Sequence, residues 1–461
     1  MKPKQKRVCI VGGGASGVAA AWSLSQEDSF HVEIWEKTSR LGGVATSLEL
    51  DSGIYINDQV QGGTPSYRNT ILLLKELGWD ISTTHMRISF GTGERQWSNI
   101  DSEASPLIKK LEKEIRRFGR VLSWVKWLEL LFVFIPIDLV LKVLGFSADF
   151  RNYLLYPLCA LFFGTGIQTP RVSTAVIARV FLDEDGKLFD YDPQRFLSQQ
   201  PQVFAFPKLS AVYDSAAKKL VERGVKICSN RIAKSVIRTN TSNNNNKEEE
   251  EEKQGVWVID DRGERAFFDD VILCCDAEVA LSLLVEPRWL ERFALRNVEY
   301  YYDTVITHED VDYITHHYDT KADRQQQYFV RVLPQDAQKV EMSFHLNHYQ
   351  PQLKTVGRPL FQTIFPADNI RSDKILYTRV TKHNAHTWKH FCFTVLFWRW
   401  LQGYRHTWFA GGYCLFNIHE TAVVSGLAAA YRIGGKYPFE QDSQAKSSFF
   451  TFLRLVHGVG S

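Results

Sequence analysis

The ten residues V-C-I-V-G-G-G-A-S-G, positions 8–17, constrain this chain more than any other stretch. Four apolar residues bounded by glycine fit a buried parallel strand. Gly12, Gly14 and Gly17 then fall at the spacing G-x-G-x-x-G, and residues 15–25 continue as a helix with small side chains toward the sheet. The first glycine permits a tight turn, the second lets the backbone approach a pyrophosphate, and the third lets helix and strand pack closely. The helix N-terminus adds unpaired N–H groups and the positive end of its dipole. A second strand, residues 32–35, ends at Glu36, nineteen residues after Gly17. A carboxylate there accepts both ribose hydroxyls and repels a 2′-phosphate. Strand, turn, helix and acid together point to a bound dinucleotide. A second glycine pair follows in Arg40-Leu41-Gly42-Gly43. It lets the chain pass close to the pyrophosphate and ribityl side of a longer cofactor, which favours FAD over NAD.

At 461 residues and 44% hydrophobic content the chain can bury a core of two domains. Its net charge is only +3, with no basic stripe interleaved with aromatics, so nucleic acid is excluded as an expected partner. Seven scattered cysteines show neither C-x-x-C nor zinc spacing, so no metal site is expected, and a reducing compartment is the simplest reading. The basic N-terminus precedes an apolar run of four residues, too short for a signal peptide, which leaves a cytoplasmic protein as the expectation. Residues 122–146 are apolar, but Lys126, Glu129, Pro136, Asp138 and Lys142 interrupt them well short of the roughly 18–20 residues that span a bilayer. A cap helix packed on the protein is expected there, with a peripheral, monotopic membrane contact as the alternative. The oligomeric state is left open.

In chain order, residues 67–77 read as a helix and residues 86–97 as a hairpin about Gly-Thr-Gly. Residues 105–145 and 150–181 are helical and rich in Leu, Phe and Trp, with a break at Gly164-Thr165-Gly166. A helix over 207–224 leads into strands at 225–228, 234–238 and 255–260. The tract 240–254, with four consecutive Asn and five consecutive Glu, is a low-complexity, disordered expansion of a hairpin loop; its five glutamates against two lysines leave −3 there and +6 elsewhere. A buried strand at 271–275 and a helix to 284 return the chain to the dinucleotide domain, residues 298–306 and 339–346 are strands of a second sheet, and 407–412 is a strand ending in a glycine pair before a small-residue helix. The fold class is α/β, a Rossmann-type dinucleotide domain interleaved with a mixed-sheet plus helical substrate domain. The dinucleotide domain takes residues 1–85, 205–285 and 403–440, the substrate domain 86–204 and 286–402, and 441–461 forms a C-terminal tail.

The motifs V-G-G-G-A-S-G, E-K-x-x-R-L-G-G, V-I-L-C-C-D-A and F-A-G-G-Y…H-E-T-A-V-V-S-G-L-A-A-A span nearly the whole chain. They resemble the flavin-containing amine oxidase and phytoene desaturase superfamily. Within it, P-S-Y-R-N at 65–69, M-S-F-H-L-N-H-Y-Q at 342–350 and Q-T-I-F-P at 362–366 are most similar to predicted FAD-binding oxidoreductases linked to lipid metabolism. The resemblance implies a glutathione-reductase-like FAD domain and a contact for each motif. The pyrophosphate and ribityl chain fall to Gly12, Gly14, Ala15, Ser16, Gly17, Arg40, Gly42, Gly43 and Val44, and the adenosine ribose to Glu36 and Lys37. The adenine meets the backbone of Ile232, Gly411 and Gly412 lie beside the cofactor, and the N–H groups near Glu420, Thr421 and Ala422 face the flavin. A reduced flavin carries negative charge, which a helix N-terminus stabilises. Two departures stand out: Val44 follows the second glycine pair where arginine is common, and Tyr413-Cys414 replaces a common acid. Covalent attachment at Cys414 is conceivable, but a buried thiol and noncovalent FAD are the expectation.

Flavin oxidases and desaturases ask the protein for orientation, dryness and sometimes one base. His419, Asn347, Tyr413 and His308 are the catalytic candidates, with His345, Tyr349 and Asn417 behind them, and His383, His386 and His390 carry no metal expectation in this fold. An FAD oxidoreductase taking hydride from a fatty-acyl, terpenoid or polyketide chain, for desaturation or double-bond isomerisation, is the first reading. Its tunnel or membrane-facing mouth is expected from the helices at 105–181 and the aromatic run 388–400. A flavin amine oxidase producing imine and hydrogen peroxide is the runner-up, and a non-catalytic dinucleotide-binding protein the third.

Overall fold

The computed structural model describes residues 5–50, 53–163, 166–182, 188–239, 254–320, 325–333 and 336–459. The expected disordered tract, and Gly164 and Thr165 of the expected break, fall outside them but for residue 254. A five-stranded parallel sheet organises the first half of the architecture, in the order Lys226–Ser229, Phe30–Glu36, Lys6–Val11, Asp270–Leu273, Thr407–Phe409. Val8 pairs with Val32 and Ile10 with Ile34 on one side, and Val11 pairs with Leu273 on the other. The inner stretches Val8–Val11 and Val271–Leu273, buried on both faces, are continuous apolar runs rather than alternating ones. An antiparallel sheet of Ala233–Arg238, Val256–Asp260 and Arg265–Phe268 attaches beside them.

The second sheet has seven strands, in the order Ile375–Asn384, Tyr300–His308, Phe361–Ile364, Asp336–His345, Tyr328–Leu333, Ile88–Phe90, Trp97–Ser98. All its pairings are antiparallel except Tyr328–Leu333 with Ile88–Phe90. The expected hairpin is the Ile88–Phe90 and Trp97–Ser98 pair. Over this sheet lies a helical cap of Pro106–Trp127, Glu129–Phe132, Ile137–Val143, Tyr156–Phe163 and Thr174–Leu182. Its apolar faces merge with the sheet's into one core, where Phe118, Phe146, Phe150, Phe181 and Phe196 pack edge to face. The segment read as a C-terminal tail is a packed element: Ser443–Phe452 is a helix whose Phe449 stacks on Tyr437 within the first core.

Two helices decide how the first domain closes. Ala15–Leu24 is buried from Ser16 onward, because it lies between the parallel sheet and the last long helix, His419–Ile433. Only small residues fit between such neighbours, which explains Ala19-Ala20-Ala21 on one helix and Gly426 with Ala428-Ala429-Ala430 on the other. A Cβ at Gly426 would come 2.0 Å from Ser16 O and 3.1 Å from Ala20 N. Gly426→Ala is therefore expected to cost about 1–3 kcal/mol by overpacking in a denaturant titration. Gly357→Ala, where a Cβ meets nothing within 4 Å, should be close to neutral in the same titration.

Candidate functional site

The glycine turn and the Arg40-to-Gly43 loop close on each other as a cradle. Gly12 stands at φ 105°, and a Cβ there would sit 2.5 Å from Cys274 O; one at Gly17 would sit 2.0 Å from Gly12 O. These two glycines are demanded by packing. Gly14 is different: it caps the first helix in extended conformation, and a Cβ on it would meet nothing within 4 Å. Gly42 bridges to Gly14 and donates its N–H to Gly13 O at 2.8 Å, while a Cβ on Gly43 would lie 3.2 Å from Gly14 Cα. Backbone thus faces backbone, with the N–H groups of Ala15, Ser16 and Gly17 at the helix start. Glu36 ends the second strand buried, and its carboxylate accepts Gly13 N–H at 2.7 Å and Thr38 N–H at 2.8 Å. Oε1 also accepts the Thr38 hydroxyl at 2.7 Å, so Oε2 is the oxygen that keeps a lone pair for a ribose hydroxyl. The cradle suits a pyrophosphate flanked by a ribose.

Other residues expected around it have different tasks. Arg40 reaches away to Asp214 at 2.5 Å on the surface. Lys37 and Val44 are exposed. Ile232 does not offer free backbone: its C=O accepts Asp261 N–H at 2.9 Å, its N–H points to Asp261 Oδ1 at 3.4 Å, and its side chain is exposed. Ala422 spends its N–H on Ile418 O at 3.2 Å inside the closing helix. Glu420 turns away from the helix axis to cap another helix, accepting the N–H groups of Asn69 at 3.0 Å and Thr70 at 2.8 Å, at the start of Arg68–Glu76. Burial pushes its carboxyl above the ordinary range, and these hydrogen bonds pull it back. Thr421 is buried beside it. Gly411 and Gly412 hold the loop between strand and helix, Gly411 at φ 154° with its N–H on Ser425 Oγ at 2.8 Å.

The four catalytic candidates are not brought together. His419 is held between Tyr213 Oη at 2.9 Å and Phe206, and burial lowers it to about 4, so it is a neutral packing histidine. Tyr413 is fully buried with its ring against Gly411 and Trp398. Asn347 stitches the following loop, donating to Leu353 O and Arg358 O at 3.1 Å and accepting Leu360 N–H at 2.7 Å. His308 ends a strand of the second sheet, with Nε2 on Thr363 Oγ1 at 2.8 Å, and is lowered to about 4 by burial. Cys414 is fully buried and burial raises its thiol, which makes it a poor site for covalent attachment. All seven cysteines are free, and no metal-holding cluster occurs among the described residues.

What the sequence reading missed is a cleft of about 260 Å³ lined by the seven-stranded sheet, the segment from Asp58 to Tyr67 and residues of the cap. Its lining is apolar at Leu161, Leu188, Phe189, Val203, Phe344 and Ile364 and polar at Asp58, Gln61, Gln362, Arg379, Thr381 and His383. Arg379, Thr381 and His383 share one face of the edge strand by its period of two. That alternation was the signal available in the sequence. Arg379 pairs with Asp58, yet burial still raises the Asp58 carboxyl. Behind them Asp303, 2% exposed, is raised to about 7 by burial against the opposing pull of Arg379. His383, lowered to about 4 by burial and then by Arg379, has Nε2 3.7 Å from Asp303 Oδ2 and 3.1 Å from Thr381 Oγ1. Its Nδ1 lies 3.3 Å from Asn417 Nδ2. Among the described residues the cap helices supply Leu161 alone to this lining, and the aromatic run 388–400 supplies none: Trp398 packs inward on Phe409 and Tyr413.

Two outcomes are expected. Gly14→Ala should unfold like the parent in denaturant, having no atom to displace, yet bind added dinucleotide at least about tenfold more weakly, because the methyl occupies the pyrophosphate path. Asp303 binds its proton more tightly folded than unfolded, so the stability it confers is full below pH 3.8 and is lost as pH rises through 7. Asp303→Asn, a permanently neutral stand-in, should match the parent in acid and become progressively more stable than it toward pH 7, read by thermal unfolding across pH.

Residues 10–76 match the family of NAD(P)-binding Rossmann-like domains. No protein of curated function matches in sequence. Among solved structures, a CLA-producing fatty acid isomerase from P. acnes superposes with a TM-score of 0.61 at 15% identity, covering 94% of this chain and 100% of its own. Putrescine oxidase bound to putrescine gives 0.61 at 14%, covering 93% and 99%. An oxidoreductase from Methanosarcina mazei gives 0.56 at 11%, covering 92% and 100%. At such identities the likeness is one of fold, and it extends over both domains: this chain is built on a Rossmann-like dinucleotide domain interleaved with a mixed-sheet second domain, as those proteins are.

Proposed function

We propose that the chain is an FAD-dependent oxidoreductase that takes hydride from a C–H of an apolar substrate bearing one polar end. The observation that carries this reading is Asn417. It packs against Gly412 in the closing motif of the dinucleotide domain, a Cβ on that glycine lying 3.4 Å from Asn417 Cα, and it reaches His383 in the polar lining of the cleft. The closing motif of the dinucleotide domain and the cleft are joined through one side chain. The open Gly14 and the second glycine pair fit an extended dinucleotide such as FAD, held by Glu36 and the first-turn N–H groups. When bound, FAD supplies an acceptor for the hydride.

The rest falls to this chain's residues. Leu161, Leu188, Phe189 and Phe344 exclude water and hold an apolar tail, while Gln61, Gln362 and Thr381 orient a polar end. With the Asn417 amide donating to Nδ1, the His383 proton sits on Nε2, facing Thr381 and Asp303. Neutral His383 and a carboxyl poised near 7 can pass a proton without stranding a buried charge. The neighbours named above act on a fatty acid and bind putrescine. The apolar lining favours the former chemistry. A diamine needs an uncommitted carboxylate in the cleft, and Asp58 is engaged by Arg379.

The visible spectrum of the purified protein tests the reading. A flavin spectrum released into the filtrate on denaturation is expected, and under anaerobic conditions a long-chain unsaturated fatty acid should bleach it where putrescine does not. Colourless protein that takes up no added FAD overturns the cofactor, and bleaching by the amine alone overturns the substrate class.

A further inference from the structure

The cap is apolar at one end where it meets water. Helix Pro106–Trp127 buries Leu107, Leu111, Ile115, Phe118, Leu122 and Val125 against the cap core, then emerges with Trp124 53% and Trp127 88% exposed. Beyond it Leu128, Leu130 and Leu131 follow, Leu130 at 85%, and the helix Ile137–Val143 adds Leu139 and Val143, the latter at 75%. The end of the long helix and the two short helices after it therefore raise seven large apolar side chains into solvent within twenty residues of chain, and all three helices pack on Thr174–Leu182. Single exposed apolar residues are ordinary; a contiguous group of this kind marks a surface that something covers.

Charge says what covers it. The same helix carries seven lysines and arginines against two glutamates. Its exposed stripe at helical spacing runs Lys113, Arg116, Arg120, Trp124, Trp127, so basic residues lead directly into tryptophans at the tip. Lys126 lies exposed between them. Basic groups at headgroup depth, with Trp and Leu just below, form the pattern of a helix lying in an anionic lipid interface. A second copy of the chain fits less well, because a two-fold contact brings the basic stripes face to face. Among the described residues no helix is long and apolar enough to cross a membrane, so the contact is shallow.

We propose that this tip is a membrane-docking surface, which sets Trp127, Leu130 and Leu131 among the outer acyl carbons of an anionic bilayer with Arg120 and Lys126 on its headgroups. The proposal stands apart from the reaction assigned above, since it concerns a surface and needs no cofactor. It gives the cap a second use, because the core that carries the tip also supplies Leu161, Leu188 and Phe189 to the cleft or its rim.

Full-length protein is mixed with vesicles of phosphatidylcholine alone or with phosphatidylglycerol and followed by flotation and tryptophan fluorescence. Binding should be at least about tenfold stronger to the anionic vesicles, weaken with salt, and shift tryptophan emission to the blue. The Trp127→Glu/Leu130→Glu variant should lose binding by about tenfold or more while unfolding at the parent's temperature, since both side chains are solvent-exposed. The Arg120→Glu/Lys126→Glu variant should lose only the preference for phosphatidylglycerol. Absence of binding to either vesicle, or variants that bind like the parent, overturns the proposal. So does a concentration-dependent dimer in gel filtration that the Trp127→Glu/Leu130→Glu variant abolishes without any vesicle binding, which gives the tip to a second copy.

Discussion

The closing helix can lie against the first helix only because position 426 carries no side chain. That contact, with a virtual Cβ 2.0 Å from Ser16 O, fixes where the last third of the chain must end up. Once the helices touch, Ser425 reaches the N–H of Gly411, Glu420 reaches the start of Arg68–Glu76, and Asn417 is carried to the cleft beside His383. Residues hundreds of positions apart are thus registered by one close backbone approach. Overpacking there strains all of these contacts at once, because they share one backbone approach.

Local signals were legible and non-local ones were not. The strand, glycine turn, helix and acid at 8–36 lie within one short stretch, so periodicity and spacing place each of them, and the structure sets Gly42 beside Gly14 and Glu36 beside Gly13. The closing helix was visible from its small residues. Its first two polar residues were not readable in role: His419 and Glu420 are adjacent, yet one fills a gap beside Tyr213 and the other caps a distant helix. Nothing in the order of letters distinguishes those tasks, because each depends on which element arrives opposite. The aromatic run at 388–400 misled for the same reason: hydrophobicity says that Trp398 is buried, but not whether it faces a cavity or a core.

The cleft shows the deeper limit. Asp58, Asp303, Arg379 and His383 come from three separate segments, and two strand partners bring Asp303 opposite Thr381 and Tyr301 opposite His383. Their protonation states exist only once they are buried together. Desolvation drives Asp303 up and His383 down, and Arg379, itself held by Asp58, works in opposite senses on the two: it favours the Asp303 carboxylate and disfavours a charged His383. The result is a polar lining with little net charge around neutral pH, beside an apolar lining that excludes water. A group near 7 next to a neutral imidazole is the combination that lets a proton move in a dry site.

That electrostatic restraint bears on what can enter. The cleft holds its charge as the Arg379–Asp58 pair, while the longest helix carries a basic stripe and the cap tip an exposed apolar group. A polar or charged small molecule gains nothing from the tip and pays desolvation in the cleft. An amphiphile with a long apolar chain and one polar end matches both surfaces, partitioning where Trp127 and Leu130 partition and settling its polar end among Gln61, Gln362 and Thr381. The two proposals are independent in their tests, yet the same division of apolar and charged surface supports each.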